Sequence, residues 1–154
     1  GRVISRDVSD YKVSLIDDNI ERLGISNIDV QVYNALDKDD SLVGKADIVI
    51  ADLPCSGLGI MGRKPDIRYN ISPEKISDII RLQRDILEVV SMYVKPGGTL
   101  VYSTCTINRS ENEDNADWIC TSLGFTRDGE YVQMLPSPDK DNDGFFVARL
   151  IKNS

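Results

Sequence analysis

Histidine is absent from this chain of 154 residues. That removes every Ser–His or Cys–His catalytic pair and leaves acid–base chemistry to carboxylates, Lys, Tyr, thiols or water. Cysteine is scarce, with Cys55, Cys105 and Cys120 the only three. An odd, dispersed set is no disulfide framework. It offers neither the close pairing of a zinc site nor a Cys-x-x-Cys redox motif, so no metal is expected. No apolar run approaches the roughly 20 residues of a membrane-spanning helix, and the first residues are polar, unlike a signal peptide. No membrane partner is expected, and the cytoplasm is the expected location. An excess of basic charge is missing too: 18 Lys and Arg stand against 25 Asp and Glu, a net charge of −7. This disfavours bulk electrostatic binding of nucleic acid but leaves room for a local basic patch. The acidic runs "DKDD" (37–40) and "DKDND" (139–143) read as solvated loops.

What is present is an alternation of strand and helix signals. The length suits one domain, taken as residues 1–154. "RVIS" reads as a strand ending at Asp7, "IDVQVY" as a second and "ADIVIA" as a third. The third is apolar at nearly every position, as in a parallel strand covered on both faces. Val13, Ile16, Ile20 and Leu23 recur at helical spacing, with Gly24 placed to end that helix. Ser72 and Pro73 open a second helix as N-cap and first-turn proline, with Ile76, Ile79, Ile80, Ile86, Leu87 and Val90 as its buried stripe. "KPGG" is expected to end it, and "TLVYS" to be the next strand. Ser110 to Glu113 reads as a capping box before a third helix carrying Ala116, Ile119, Cys120 and Leu123, and "GFFVARLI" is the last strand. The expected fold class is therefore a three-layer α/β sheet.

Such sheets bind ligands at the carboxyl ends of their strands. Asp7, Asp37, Asp52, Cys55 and Cys105 all fall at or just after strand ends and are expected on one rim. Asp7 is placed either to accept hydrogen bonds from a ribose diol or simply to sit favourably at a helix N-terminus. Pro54 fixes the backbone beside Asp52 and Cys55, and the glycines after it let a planar ligand approach. A loop so rich in Pro and Gly packs a core poorly, which favours function over burial for Cys55. Cys105 lies among hydroxyls in "STCT", suited to supporting a thiolate, although a core thiol is the alternative. Cys120 reads as helix core. Arg63, Lys64 and Arg68, with Tyr69 nearby, form a basic cluster suited to phosphate and base contacts, against the alternative of plain solvation.

Taken together, "DLPCSGLG", "RKPDIRYN", "STCTINRSENED" and "DGFFVARL" resemble the NOL1/NOP2/Sun family of RNA cytosine-5 methyltransferases, over essentially the whole chain and in the same order. "RKPDIRYN" makes the chain most similar to the bacterial branch that includes ribosomal RNA small subunit methyltransferase B. The resemblance implies a Rossmann-like S-adenosylmethionine-dependent methyltransferase sheet acting on ribosomal RNA. It implies that Cys105 attacks C6 of a flipped-out cytosine, that Asp52 contacts the base, and that Cys55 assists product release. It gives Asp7 the cofactor ribose and Asp37 the adenine, with Asn34 as the alternative, and places Asp52 beside the cofactor as well. Pro54, Arg63, Lys64 and Arg68 fall to the RNA side.

The family's glycine-rich cofactor loop and first, mid-sheet strand have no counterpart here, so the sequence reads as the C-terminal part of such a catalytic domain. Alone it is expected to be inactive or weak, and to be prone to self-association through an incomplete sheet. Two rivals stand beside this reading. An amino-methyltransferase would use an Asp/Asn-Pro-Pro-aromatic loop where this chain has Asp-Leu-Pro-Cys. A non-catalytic RNA-binding or assembly module would keep the fold without the chemistry.

Overall fold

The computed structural model describes residues 1–137, 139 and 141–154, and the chain falls into two compact units, Gly1–Lys38 and Asp39–Ser154. The smaller unit is a β-α-β element. Strand β1 (Val3–Asp7) pairs in parallel with β2 (Ile28–Val32), and α1 (Asp10–Leu23) connects them. Ser9 caps α1 by accepting from Lys12 N, and Gly24 closes it in the left-handed conformation (φ 64°) that a glycine adopts without penalty.

The larger unit holds β3 (Ala46–Asp52), the short α2 (Ile67–Asn70), α3 (Pro73–Ser91), β4 (Val94–Thr104), α4 (Glu113–Ser122), β5 (Phe125–Arg127), β6 (Val132–Met134) and β7 (Phe145–Lys152). The sheet order is β3-β4-β7-β5, with β6 also on β7. Only β3 and β4 are parallel; β7 runs antiparallel to β4, β5 and β6. The α/β class holds, with a mixed sheet. The short strands β5 and β6 lack periodic signals and take their structure from pairing with β7.

Two local expectations are corrected. "KPGG" does not end the helix. Helix α3 stops at Ser91, and Lys95–Gly98 lies inside β4 as a bulge, because β4 pairs with β3 on both sides of it (Ala46 with Val94, Ile48 with Thr99). The capping box at Ser110–Glu113 does not form. Helix α4 starts from Asn112, which makes no side-chain cap, and Glu111 turns inward instead. The Ser72 cap and first-turn Pro73 are as expected.

The core lies on one face of this sheet. Leu87 of α3 and Ala116 and Ile119 of α4 pack there on Ala51, Leu100, Tyr102, Phe146, Ala148 and Leu150. The opposite face of β3 is open, with Ile48 62% and Ile50 73% exposed. Within the unit Asp39–Ser154, α3 and α4 both join the Ala51 side, so this unit covers β3 on one face where the sequence pattern predicts two.

Candidate active site

Two loops leave the carboxyl ends of adjacent parallel strands. One follows β3 and carries Asp52, Pro54 and Cys55; the other follows β4 and carries Cys105. Their closeness is a consequence of register, since Asp52 pairs with Ser103 and the chain continues in the same direction on both sides. The Cys55 and Cys105 sulfurs meet at 3.3 Å, and both thiols are free and half-buried. Asp52 is exposed and accepts from Ser103 Oγ at 2.9 Å. Pro54 turns its ring outward, and its carbonyl accepts from Gln83 Nε2 at 2.9 Å.

Glycines let the loops touch. Gly59 N donates to Cys105 O at 3.1 Å, and Gly144 N donates to Gly59 O at 2.7 Å. A cleft of about 200 Å³ opens beside Cys55, walled by Ile67, Ile71 and Ile79 with Asp66, Asn70 and Lys75 at its polar side.

Beneath the sulfurs lies a polar network that periodicity does not announce. Glu111, Asn112, Asn115, Gln83 and Thr106 are all fully buried. Glu111 accepts from Ser56 N (2.7 Å), Ser56 Oγ (2.5 Å) and Asn108 Nδ2 (2.9 Å). Ser56 Oγ also meets Thr106 Oγ1 at 2.8 Å. Gln83 of α3 accepts from Asn115 Nδ2 at 2.7 Å, and Asn112 Nδ2 donates to Thr106 O at 3.0 Å and to Gln133 Oε1 of β6 at 2.8 Å. One signal for these residues was available. Gln83 falls in phase with Ile79, Ile86 and Leu87, and Asn112 and Asn115 precede Ala116 and Ile119 by one turn, so polar residues occupy core-facing positions.

Burial raises the Cys55 thiol well above its ordinary value of 9.0, with the hydrogen bond to Cys105 adding to the effect; burial likewise raises the Tyr102 phenol above 10.0. Both groups therefore hold their protons more tightly folded than unfolded. Their contribution to stability is complete below the unfolded values and is lost as pH rises past them. Urea unfolding midpoints are expected to be flat from neutrality to about pH 9 and then to fall, with Cys55→Ala removing part of the early fall and Cys120, also raised by burial, supplying the rest.

The basic cluster is only partly available. Arg63 Nε pairs with Asp143 Oδ2 at 2.9 Å, while the exposed Arg68 donates to Pro65 O at 3.2 Å and lies 5.7 Å from the Tyr69 ring centre. Lys64 is exposed. Asp143 thus anchors Arg63, although it belongs to the run expected as a solvated loop; Lys140 of that run lies outside the described residues.

In the smaller unit, Asp7 ends β1. Its Oδ1 accepts from Ser9 N at 2.8 Å, and its Oδ2 pairs with Lys12 at 3.3 Å. Asp37 is exposed in a turn in which its N–H donates to Asn34 O, and Asn34 Oδ1 is occupied by Leu36 N at 3.1 Å.

Ribosomal RNA small subunit methyltransferase F of Salmonella paratyphi A is 35% identical, matching 100% of this chain and 36% of that protein. The protein of the same name from Aliivibrio salmonicida is 31% identical with the same coverage. The chain thus spans about a third of the length of these relatives. The crystal structure of NSun6 from Pyrococcus horikoshii with SFG superposes with a TM-score of 0.81 at 26% identity, covering 100% of this chain and 42% of that one. A SAM-dependent O-methyltransferase from Thermotoga maritima, 11% identical with a TM-score of 0.59 over 100% of this chain and 51% of its own, shares the fold. Residues 1–151 match the family model for the 16S rRNA methyltransferase RsmB/F, and the chain belongs to that family.

Proposed function

We propose that this chain carries the two-cysteine half of an S-adenosylmethionine-dependent methyltransferase that modifies cytosine C5 in small-subunit ribosomal RNA. Turnover, on this reading, needs the rest of the enzyme, which the relatives carry outside the matched third. The observation that carries the proposal is the pair of sulfurs at 3.3 Å, delivered by separate loops at the ends of adjacent strands, with Asp52 on one of those strands.

Cytosine C5 is a poor nucleophile, and covalent catalysis divides one hard step into easier ones. The Cys105 thiolate adds to C6, which sends electron density into the ring and makes C5 reactive. N3 takes up a proton as Cys105 adds, and Asp52 accepts a hydrogen bond from the resulting N3–H. S-adenosylmethionine supplies the methyl group. Cys55, once its own proton has passed to solvent, takes the C5 proton as a thiolate, the C6–sulfur bond breaks, and Cys105 leaves as thiolate. The cleft beside Cys55, at about 200 Å³, suits a single extruded base and falls below the roughly 300–1,000 Å³ of whole-ligand pockets.

The acceptor-only carboxylates fit the cofactor's nucleoside. Asp7 sits at a strand end before a helix, where ribose hydroxyls are held in related folds, and exposed Asp37 suits the adenine amino group. Exposed Lys64 and Arg68 suit the RNA backbone, with Arg63 recruited if RNA displaces Asp143.

The test is to incubate the full-length enzyme and S-adenosylmethionine with RNA containing 5-fluorocytosine, followed by intact mass. Fluorine at C5 cannot leave as a proton, so a stable protein–RNA adduct is expected, mapping to the peptide with Cys105. Methyl transfer to RNA with no adduct would reject the covalent mechanism.

A further inference from the structure

We propose that Glu111 is a positioning residue whose buried carboxyl group fastens the two cysteine loops together and so sets the approach of the Cys55 and Cys105 sulfurs. The two loops have no covalent tie, and one is rich in proline and glycine. Something must hold their sulfurs at van der Waals distance. Glu111 is 0% exposed, and a carboxyl group buried that deeply is costly unless donors surround it. Ser56 supplies two donors, Asn108 a third, and Gln83 Nε2 a longer fourth at 3.4 Å.

The placement of these donors carries the inference. Ser56 is the residue after Cys55, and Thr106, the residue after Cys105, bonds the same Ser56 hydroxyl at 2.8 Å. Each sulfur is therefore one residue away from a single knot centred on Glu111. Gln83 adds Pro54, the residue before Cys55, by donating to its carbonyl. Helix α4 does not need this arrangement. Its sequence offers an ordinary capping box at Ser110 and Glu113, and the structure forgoes it. The cost of burying Glu111 is offset at the cysteine loops, not at the helix end.

The proposal rests on the methyltransferase reading only for why the sulfur spacing matters. The test reads the sulfurs alone, without RNA or cofactor, so its failure and that of the proposed function are separable. The chain and its Glu111→Gln variant are treated with diamide, and Cys55–Cys105 disulfide is followed by peptide mass spectrometry. The two thiols give up two electrons and two protons, and diamide is reduced to the hydrazine. Cys120, in α4, is alkylated in parallel as a gauge of general loosening.

Glutamine keeps the shape but points an N–H₂ group at donors, so at least one arm breaks. Disulfide formation is expected to slow about tenfold, the scale of a small loss of alignment, while the Cys120 rate stays unchanged. An unchanged disulfide rate, or a Cys120 rate that moves with it, overturns the proposal. Should Glu111→Gln fail to fold, Ser56→Ala decides. It keeps the backbone arm and deletes both hydroxyl contacts, with about a threefold slowing expected. An unchanged rate there overturns the proposal equally.

Discussion

Cys105→Ala is expected to abolish both methyl transfer and the 5-fluorocytosine adduct, whereas Cys55→Ala is expected to stop turnover while leaving RNA bound covalently. The asymmetry follows from the roles, not from the geometry, which is nearly symmetrical: the sulfurs touch, and each lies just past a strand end. Removing the nucleophile leaves nothing to add to C6. Removing the second thiol leaves addition and methylation possible but strands the intermediate, because the C5 proton has lost its acceptor. For Cys55→Ala the fall in turnover is expected to be at least the roughly 10²–10⁴-fold attributed to a positioned acid–base group. Denaturing gel electrophoresis of each variant with unmodified RNA distinguishes them, since only Cys55→Ala should show a shifted protein–RNA band. A shifted band from Cys105→Ala instead would exchange the two roles. Loss of activity in both without any band would leave the thiols structural.

The sequence was legible where signals are local. The Ser72–Pro73 helix start, the Gly24 stop and the two motif loops at strand ends needed only neighbours within a few positions. What it hid depends on contacts across the sheet. "KPGG" carries every mark of a helix end, yet pairing of β4 with β3 on either side makes it a bulge. Ser110–Glu113 is a capping box by composition, but the donors on Ser56, 55 positions away, draw Glu111 inward. That Cys55 and Cys105 share a rim was readable from alternation alone. That they touch was not, because contact depends on the register of Asp52 with Ser103 and on how closely Gly59 and Gly144 let the backbones approach. Arg63 looked like a free cation for the same reason: its partner Asp143 is 80 positions away (143 − 63) and sits in a run that reads as solvated.

Gly59→Ala is expected to be the most damaging single substitution among the loop glycines. Its φ is unremarkable, so the cost is not backbone strain but space. A Cβ at this position would lie 2.5 Å from Gly144 O and 2.8 Å from Cys105 O, and neither atom is the end of a flexible side chain. Accommodating the methyl group means separating the β3 loop from the β4 loop or from Gly144, and both shifts break a backbone hydrogen bond that Gly59 makes. The expected loss is about 3 kcal/mol, the upper end of the range for overpacking. In a chain of this size that corresponds to a fall in Tm of roughly 6–12 °C. Gly62→Ala is the matched control: nothing lies within 4 Å of its Cβ, and the change is expected to stay within about 0.5 kcal/mol. The same variant tests whether the loops act as one piece. If Gly59→Ala forces them apart, diamide coupling of Cys55 to Cys105 should slow along with the loss of Tm. A stable Gly59→Ala protein with undisturbed coupling would mean that the backbone contact at Gly59 is not what holds the sulfurs together.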